Sequence, residues 1–163
     1  MKGIRRVALF NRSNSRVPLW FRKPNAWDAE CAIYQASLFH EDDSDLGLIS
    51  KPIDGINVYL SSPERAALEI LYLVPNKQSY EEAFKLIEAL TQLRPNVVQS
   101  LLEKCKSIKV KRLFLYLADK FQHPWLSRLD LSKVNLGRGN RVIGQGGSYD
   151  AKYQLSLPKI LEE

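Results

Sequence analysis

The stretch of sequence that decides the fold is residues 61–125, which read SSPERAALEILYLVPNKQSYEEAFKLIEALTQLRPNVVQSLLEKCKSIKVKRLFLYLADKFQHPW. Prolines and capping residues divide this stretch into segments whose apolar residues recur with the three- and four-residue spacing of amphipathic helices. Because such faces are stable only when they are buried against one another, the stretch predicts four packed helices.

Local signals predict where the first two helices begin. Ser62, Pro63 and Glu64 supply an N-cap, a proline suited to the first helical position, and an acid that the helix dipole favours. Ser79 with Glu82 three residues later is the pattern of a capping box. The first helix is predicted to end at the proline that follows residue 74, since the residue before a proline disfavours the helical conformation.

The third and fourth helices are predicted from the second half of the stretch. Arg94 and Pro95 start the third helix, and Pro124 closes the set. The apolar face of the fourth helix consists of Val110, Leu113, Phe114, Leu117 and Phe121.

The flanking segments have the patterns of strands. Short runs that predict strands are 7–10, 17–21, 31–39, 56–60, 141–143 and 153–157. The first two runs flank a predicted turn at 11–16, and Pro18 favours an edge position in the sheet for the second of these strands. The last two runs are predicted to form a terminal hairpin, with residues 144–152 as its flexible polar loop. We therefore expect an α/β (α+β) domain, in which a small, mostly antiparallel sheet from both chain ends packs on about four helices.

Length and composition are those of one domain with three parts. The 163 residues are 45% hydrophobic, and we expect a β-rich part (1–60), a helical part (61–125) and a β-hairpin tail (126–163). No apolar run approaches the roughly 18 residues that cross a bilayer, which predicts a soluble cytoplasmic protein that does not bind a membrane. Cys31 and Cys105 lie far apart and are expected to be buried thiols.

Positive and negative charges are separated along the chain. Residues 1–27 have a net charge of +7, residues 28–103 of −8 and residues 104–163 of +7. A clustered positive field attracts an acidic partner such as a nucleic acid, although solvated surfaces have similar charges. The pattern leaves both interpretations open.

Motifs of catalysis and cofactor binding are weak. The acidic segment 40–45 fails the calcium-loop template, and the glycine turns at 137–139 and 144–147 fit no phosphate-binding loop. The imidazoles are those of His40 and His123, of which the second lies in a His-Pro-Trp corner that suits capping or packing. The sequence therefore predicts no catalytic residue, no metal and no cofactor.

Basic residues are the strongest binding candidates. One group consists of Lys104, Lys106, Lys109, Lys111 and Arg112, which suit phosphate contacts. A single continuous helix would scatter these charges, so they form one stripe only if the chain turns near Ser107. A second group includes Arg5, Arg12 and Arg16 among aromatic residues that either stack on a partner or belong to the core.

Several short motifs of this sequence resemble those of one known family. They are LSSPERA (60–66), EILY (69–72), LRP (93–95), VKRLFLY (110–116), HPW (123–125), LDL (129–131), LG (136–137), RV (141–142) and KY (152–153). In this order they resemble the C-terminal domain of the AbiEi-family antitoxins of bacterial type IV toxin-antitoxin, or abortive infection, systems. The resemblance covers nearly the whole chain.

The resemblance implies a function without catalysis. It implies an antitoxin of a nucleotidyltransferase-like toxin, in which an N-terminal winged helix binds operator DNA and the C-terminal domain neutralises. The chain starts at the strands of that C-terminal domain with no winged helix before them, so it is expected to be either an excised domain or a naturally truncated protein.

The matching motifs suggest that some of their residues have a structural role and that others bind a partner. Structural roles are expected for Ser62, Pro63, Glu64, Arg65, Arg94, Pro95, His123, Pro124 and Trp125. Lys109, Lys111 and Arg112 are expected to contact DNA or the toxin. The alternative is a stand-alone nucleic-acid-binding regulatory module that uses the same basic face, and the oligomeric state stays open.

Overall fold

The computed structural model of the chain describes residues 6–11, 17–23, 30–35 and 37–161. The chain divides into two compact units, Met1–Ser37 and Leu38–Glu163. In the described residues, four α-helices and several small, mostly antiparallel sheets confirm the predicted α+β class. In the part of the chain that is described, the strands form three small sheets instead of one sheet that joins the two ends. None of the helices in these residues is both long and apolar enough to cross a membrane.

The first unit contains a parallel pair of strands. Strand β1 (Arg6–Asn11) pairs with β2 (Glu30–Gln35) in parallel. The strand predicted at 17–21 is wrong, because Leu19–Arg22 is a 3₁₀ helix. A parallel pair needs a long connection, and these residues belong to it. Most of the turn predicted at 11–16 lies outside the described residues.

The second unit contains a hairpin that the sequence predicted only in part. Strand β3 (Leu48–Ile53) pairs antiparallel with β4 (Ile56–Ser61). Asp54 and Gly55 connect the strands with φ angles of 50° and 78°, which suit a two-residue turn. Strand β3 was not predicted, since its Ser-Lys-Pro sequence interrupts the apolar pattern.

The four helices confirm the predictions from the decisive stretch. They are α1 (Pro63–Leu73), α2 (Tyr80–Ala89), α3 (Pro95–Lys104) and α4 (Ile108–Lys120). The hydroxyls of Ser62, Ser79 and Ser107 accept backbone N–H groups at the N-termini of α1, α2 and α4. The chain therefore does turn at Ser107.

Helix α4 lies at the centre of the core. It packs against α1 and α2, and α1 also packs against α3. Leu113, Leu115 and Leu117 are fully buried on α4, which shows that burial extends beyond one narrow face. Leu155 and Leu157 of the C-terminal segment belong to the same core.

The C-terminal sheet corrects the predicted hairpin. Strand β7 (Leu155–Pro158) lies between β5 (Arg141–Val142), which is parallel to it, and β6 (Gly146–Asp150), which is antiparallel. The hairpin is thus β6 with β7, and β6 occupies part of the segment predicted to be a loop. A Cβ atom on Gly147 would lie 2.5 Å from the carbonyl oxygen of Leu157, so glycine permits this close approach.

Candidate functional site

Several charged residues of the sequence motifs described above connect elements of the fold. Glu64 is the first of them along the chain. This side chain is 3% exposed. Its carboxylate accepts the backbone N–H of Arg94 at 3.0 Å and the guanidinium Nε at 2.9 Å and Nη2 at 3.0 Å. Burial alone would raise the pKa of Glu64, but these hydrogen bonds outweigh it and lower the pKa to about 2. The pair fixes the start of α3 to the start of α1.

Arg65 connects α1 to the loop that precedes β3. Its Nη1 donates to the carbonyl oxygens of Ser44 at 2.6 Å and Leu46 at 2.8 Å, and its Nε donates to Glu69 at 2.8 Å. The guanidinium also lies 5.1 Å from the ring centroid of Phe39. Because these contacts occupy its guanidinium group, we assign Arg65 a structural role.

The His-Pro-Trp corner joins the end of α4 to α2. His123 Nε2 is 2.9 Å from the carbonyl oxygen of Ile87, and Trp125 Nε1 donates to that of Leu90 at 2.9 Å. The two rings stack with centroids 5.1 Å apart, and the Trp125 ring also stacks on Phe114. The corner thus provides hydrogen-bond partners for carbonyl groups at the C-terminal end of α2, and its stacked rings pack the two helices together.

The first two residues of the basic group are exposed. Lys104 ends α3, and its ammonium lies 3.5 Å from Asp43 Oδ1. Lys106 is exposed in the turn between α3 and α4. These two side chains are accessible to a partner.

The other three basic residues lie on α4 and point into the structure. Lys111 and Arg112 are each 2% exposed, and Lys109 is half-buried with its Nζ 2.9 Å from the carbonyl oxygen of Val74, the C-cap of α1. Burial lowers the pKa of both lysines. The predicted basic stripe therefore does not form on the surface, because the apolar requirements of α4 bury its first turns on several sides.

Arg112 binds backbone instead of an external anion. Its Nε donates to the carbonyl oxygen of Leu136 at 2.7 Å, and its Nη1 donates to those of Gly139 at 2.6 Å and Gln154 at 3.2 Å. The guanidinium thereby holds the segment that precedes β5 against the segment that precedes β7. We call residues 137–141, the last of which begins β5, the arginine loop, since Arg138 and Arg141 lie in it.

Sequence reasoning overlooked the arginine loop as a charged feature. It evaluated 137–139 only as a turn and as a phosphate-binding loop motif. A different signal was present, because no acidic residue occurs between Asp130 and Asp150. The structure places Arg138 on the surface and Arg141 half-buried, close enough to Arg112 for their positive charges to repel each other.

Other candidates contribute less. Arg5, Arg12 and Arg16 lie outside the described residues, so the role predicted for them stays a prediction. Both cysteines are free, with Cys105 buried as predicted and Cys31 half-buried, and burial raises the pKa of the Cys105 thiol. Within the described ranges, no cluster of three or more His, Cys, Asp or Glu side chains could hold a metal ion.

Comparison with known proteins assigns the class and then the family. Residues 4–158 match the model of a family of transcriptional regulators. More particularly, the chain belongs to the AbiEi antitoxins of type IV toxin-antitoxin systems, since the match covers nearly its whole length. This family consists of antitoxins and regulators and is not a known class of enzymes. No curated protein and no solved structure matches the chain.

Proposed function

We propose that this chain counteracts a nucleotidyltransferase-like toxin, without catalysing a reaction, in the cytoplasm. The observation that carries the proposal is the family match over residues 4–158. The charged groups of Glu64, Arg65 and Arg112 bond within the fold, which agrees with the absence of a catalytic role for them in this proposal. The chain either binds the toxin directly or opposes it at the toxin's target, and the second mechanism needs no stable complex between the two proteins.

A growth assay tests this proposal. Cells express a cognate nucleotidyltransferase-like toxin from one promoter and this 163-residue chain from a second one. Rescue of growth by the intact chain is the expected result. The matched control is Leu113→Asp, which places an unpaired charge at a fully buried position of α4 and should abolish rescue by unfolding the domain. Failure of the soluble, folded wild-type chain to rescue growth contradicts the proposal.

The chain is also proposed to assist operator binding and autoregulation, as expected of a transcriptional regulator. The alternative, a stand-alone nucleic-acid module that uses the face from Lys104 to Arg112, has less support. Of its five basic side chains, Lys111 and Arg112 are buried and Lys109 binds a helix C-terminus. Charge reversal at Lys104 and Lys106 tests this alternative, because the loss of DNA binding in that variant alone would favour it.

A further inference from the structure

The arginine loop contains two arginines without an acidic partner among the described residues, in contrast to several exposed lysines of the chain. Lys104, Lys133 and Lys152 lie within 4.0 Å of aspartate oxygens, which partly neutralise them. No such pair forms for Arg138 or Arg141 among the residues that the structure describes. The loop therefore holds two positive charges close together in the chain that no described carboxylate neutralises.

The loop is held in one conformation. Gly137 packs on Ile108 so closely that a Cβ atom on it would lie 3.2 Å from that side chain, and its φ angle is +65°. Arg112 binds the carbonyl oxygen of Gly139, and the Arg141 N–H donates to the carbonyl oxygen of Gln154 at 3.0 Å. A ligand that binds this loop would need little ordering of the backbone, which lowers the entropic cost of binding.

Electrostatics at the loop favour an anion. Burial and the neighbouring charge of Arg141 both lower the pKa of Arg112, so two guanidinium groups oppose each other there. An anion close to Arg138 and Arg141 would relieve this repulsion. Arg138 is exposed and not enclosed, which suits a polyanion that lies across the surface more than a small anion.

We propose that Arg138 and Arg141 of the arginine loop contact the phosphate backbone of duplex DNA. The choice of duplex DNA rests on the proposed function as a transcriptional regulator. The contacts are to phosphate and position the domain on DNA without reading its sequence.

Fluorescence anisotropy tests this site with a labelled DNA duplex of arbitrary sequence, titrated with the full chain at several salt concentrations. The variant is the double substitution Arg138→Ala with Arg141→Ala. We expect it to bind at least about tenfold more weakly, and the slope of log affinity against log salt to fall by about two, because two phosphates are no longer neutralised. Arg138→Lys with Arg141→Lys should retain most of the affinity, because the charges remain.

The matched control is Lys77→Ala with Arg128→Ala, which removes the same net charge from exposed positions outside the loop. Equal affinity and equal salt slope in the loop variant and this control would overturn the proposal, as would no DNA binding by the wild-type chain. Tighter binding of a single-stranded RNA of the same length, with the same weakening in the loop variant, would overturn the assignment to duplex DNA.

Growth rescue separates this inference from the proposed function. Because the arginines are assigned to DNA and not to the toxin, the folded loop variant should rescue growth like the wild type while binding DNA weakly. Wild-type protein that binds DNA through the loop but fails to rescue growth would contradict the antitoxin proposal and leave the loop proposal standing. Arg138 has no hydrogen bond to the described residues, and Arg141 Nη1 bonds only to the carbonyl of its neighbour Asn140, so the variant should fold.

Discussion

Arg112 shows how a charged residue can serve the interior of a protein. A guanidinium has five N–H donors in a planar arrangement, and here it reaches the carbonyl oxygens of Leu136, Gly139 and Gln154. The carbonyl groups of Leu136 and Gly139 belong to segments without regular secondary structure. That of Gln154 also accepts the backbone N–H of Arg141. The side chain therefore replaces hydrogen bonds that a helix or a sheet would otherwise provide.

Arg112→Ala should destabilise the protein by about 3 kcal/mol, since it removes a buried side chain together with its charge-assisted hydrogen bonds to three carbonyl groups. Arg112→Lys should recover only part of this stability, because one ammonium cannot reproduce the planar contacts. Urea unfolding measures both changes. Arg128→Ala, an exposed arginine, is the control and should change the free energy of unfolding by less than about 0.5 kcal/mol. An Arg112→Ala value as small as that would show that water replaces the guanidinium.

Glu64 makes stability depend on pH in the acid range. Its pKa in the folded protein is about 2, below the ordinary value of 4.5, so its contribution is complete above pH 4.5 and is lost as the pH falls towards 2. Because Glu64 is buried but its partner Arg94 is half-exposed, we expect a contribution of about 2 kcal/mol.

Glu64→Gln tests this expectation when the free energy of unfolding is measured by urea titration at several pH values. The variant should be less stable than the wild type at pH 7, and the difference should shrink between pH 4.5 and 2. A difference that is constant over this range would mean that the hydrogen bonds of Glu64 do not depend on its charge.

At the scale of elements, helices and sheets differed in how far the sequence predicted them. The helices were predicted because their signals are local: a capping serine, a proline in the first turn and a periodic apolar face lie within a few residues. Strand β6 was missed since its Gly-Gly-Ser sequence has no apolar alternation, and its pairing depends on the buried strand β7. The strand predicted at 17–21 had the right composition but belongs to a crossover connection.

Ser79→Ala should cost about 1 kcal/mol, because the hydroxyl of Ser79 accepts the Glu82 N–H at the start of α2. Thermal unfolding followed by circular dichroism would measure the destabilisation. Ser100→Ala is a matched control, since Ser100 lies within α3 and its hydroxyl donates to the carbonyl of Asn96, which is already part of the helix. Equal effects of the two substitutions would argue against a capping role.

At the scale of the whole molecule, the site was harder to predict than the fold. Clustering of Lys109, Lys111 and Arg112 in the sequence indicated a basic face, but periodicity cannot show that a helix is buried on several sides. Arg138 and Arg141 were not predicted as a site because a glycine and an asparagine separate them in a turn. The hydrogen bonds of Arg112 show that their loop is fixed. Both the burial of the predicted basic face and the fixed conformation of the arginine loop depend on contacts between residues far apart in the sequence, which only the assembled fold shows.

The core predicts which part of the chain folds independently. All the buried residues of the hydrophobic core found in the described structure lie at or after Leu38. A chain that starts at Leu38 should therefore keep a single cooperative unfolding transition, with a helical circular dichroism spectrum like that of the full chain. Loss of cooperativity in the shortened chain would show that residues 1–37 contribute to the core.

The hairpin of β3 and β4 also affects how the protein behaves at high concentration. Each strand has one hydrogen-bonded neighbour among the described residues, and Ile49, Ile53, Ile56 and Leu60 are exposed on it. Free strand edges beside apolar side chains template intermolecular sheets, so aggregation is expected to begin at this hairpin. Pro52 opposes such growth because it has no N–H to donate, and Lys51 adds a charge. The Ser-Lys-Pro sequence, which made β3 hard to predict, thus limits the self-association that the exposed apolar side chains favour.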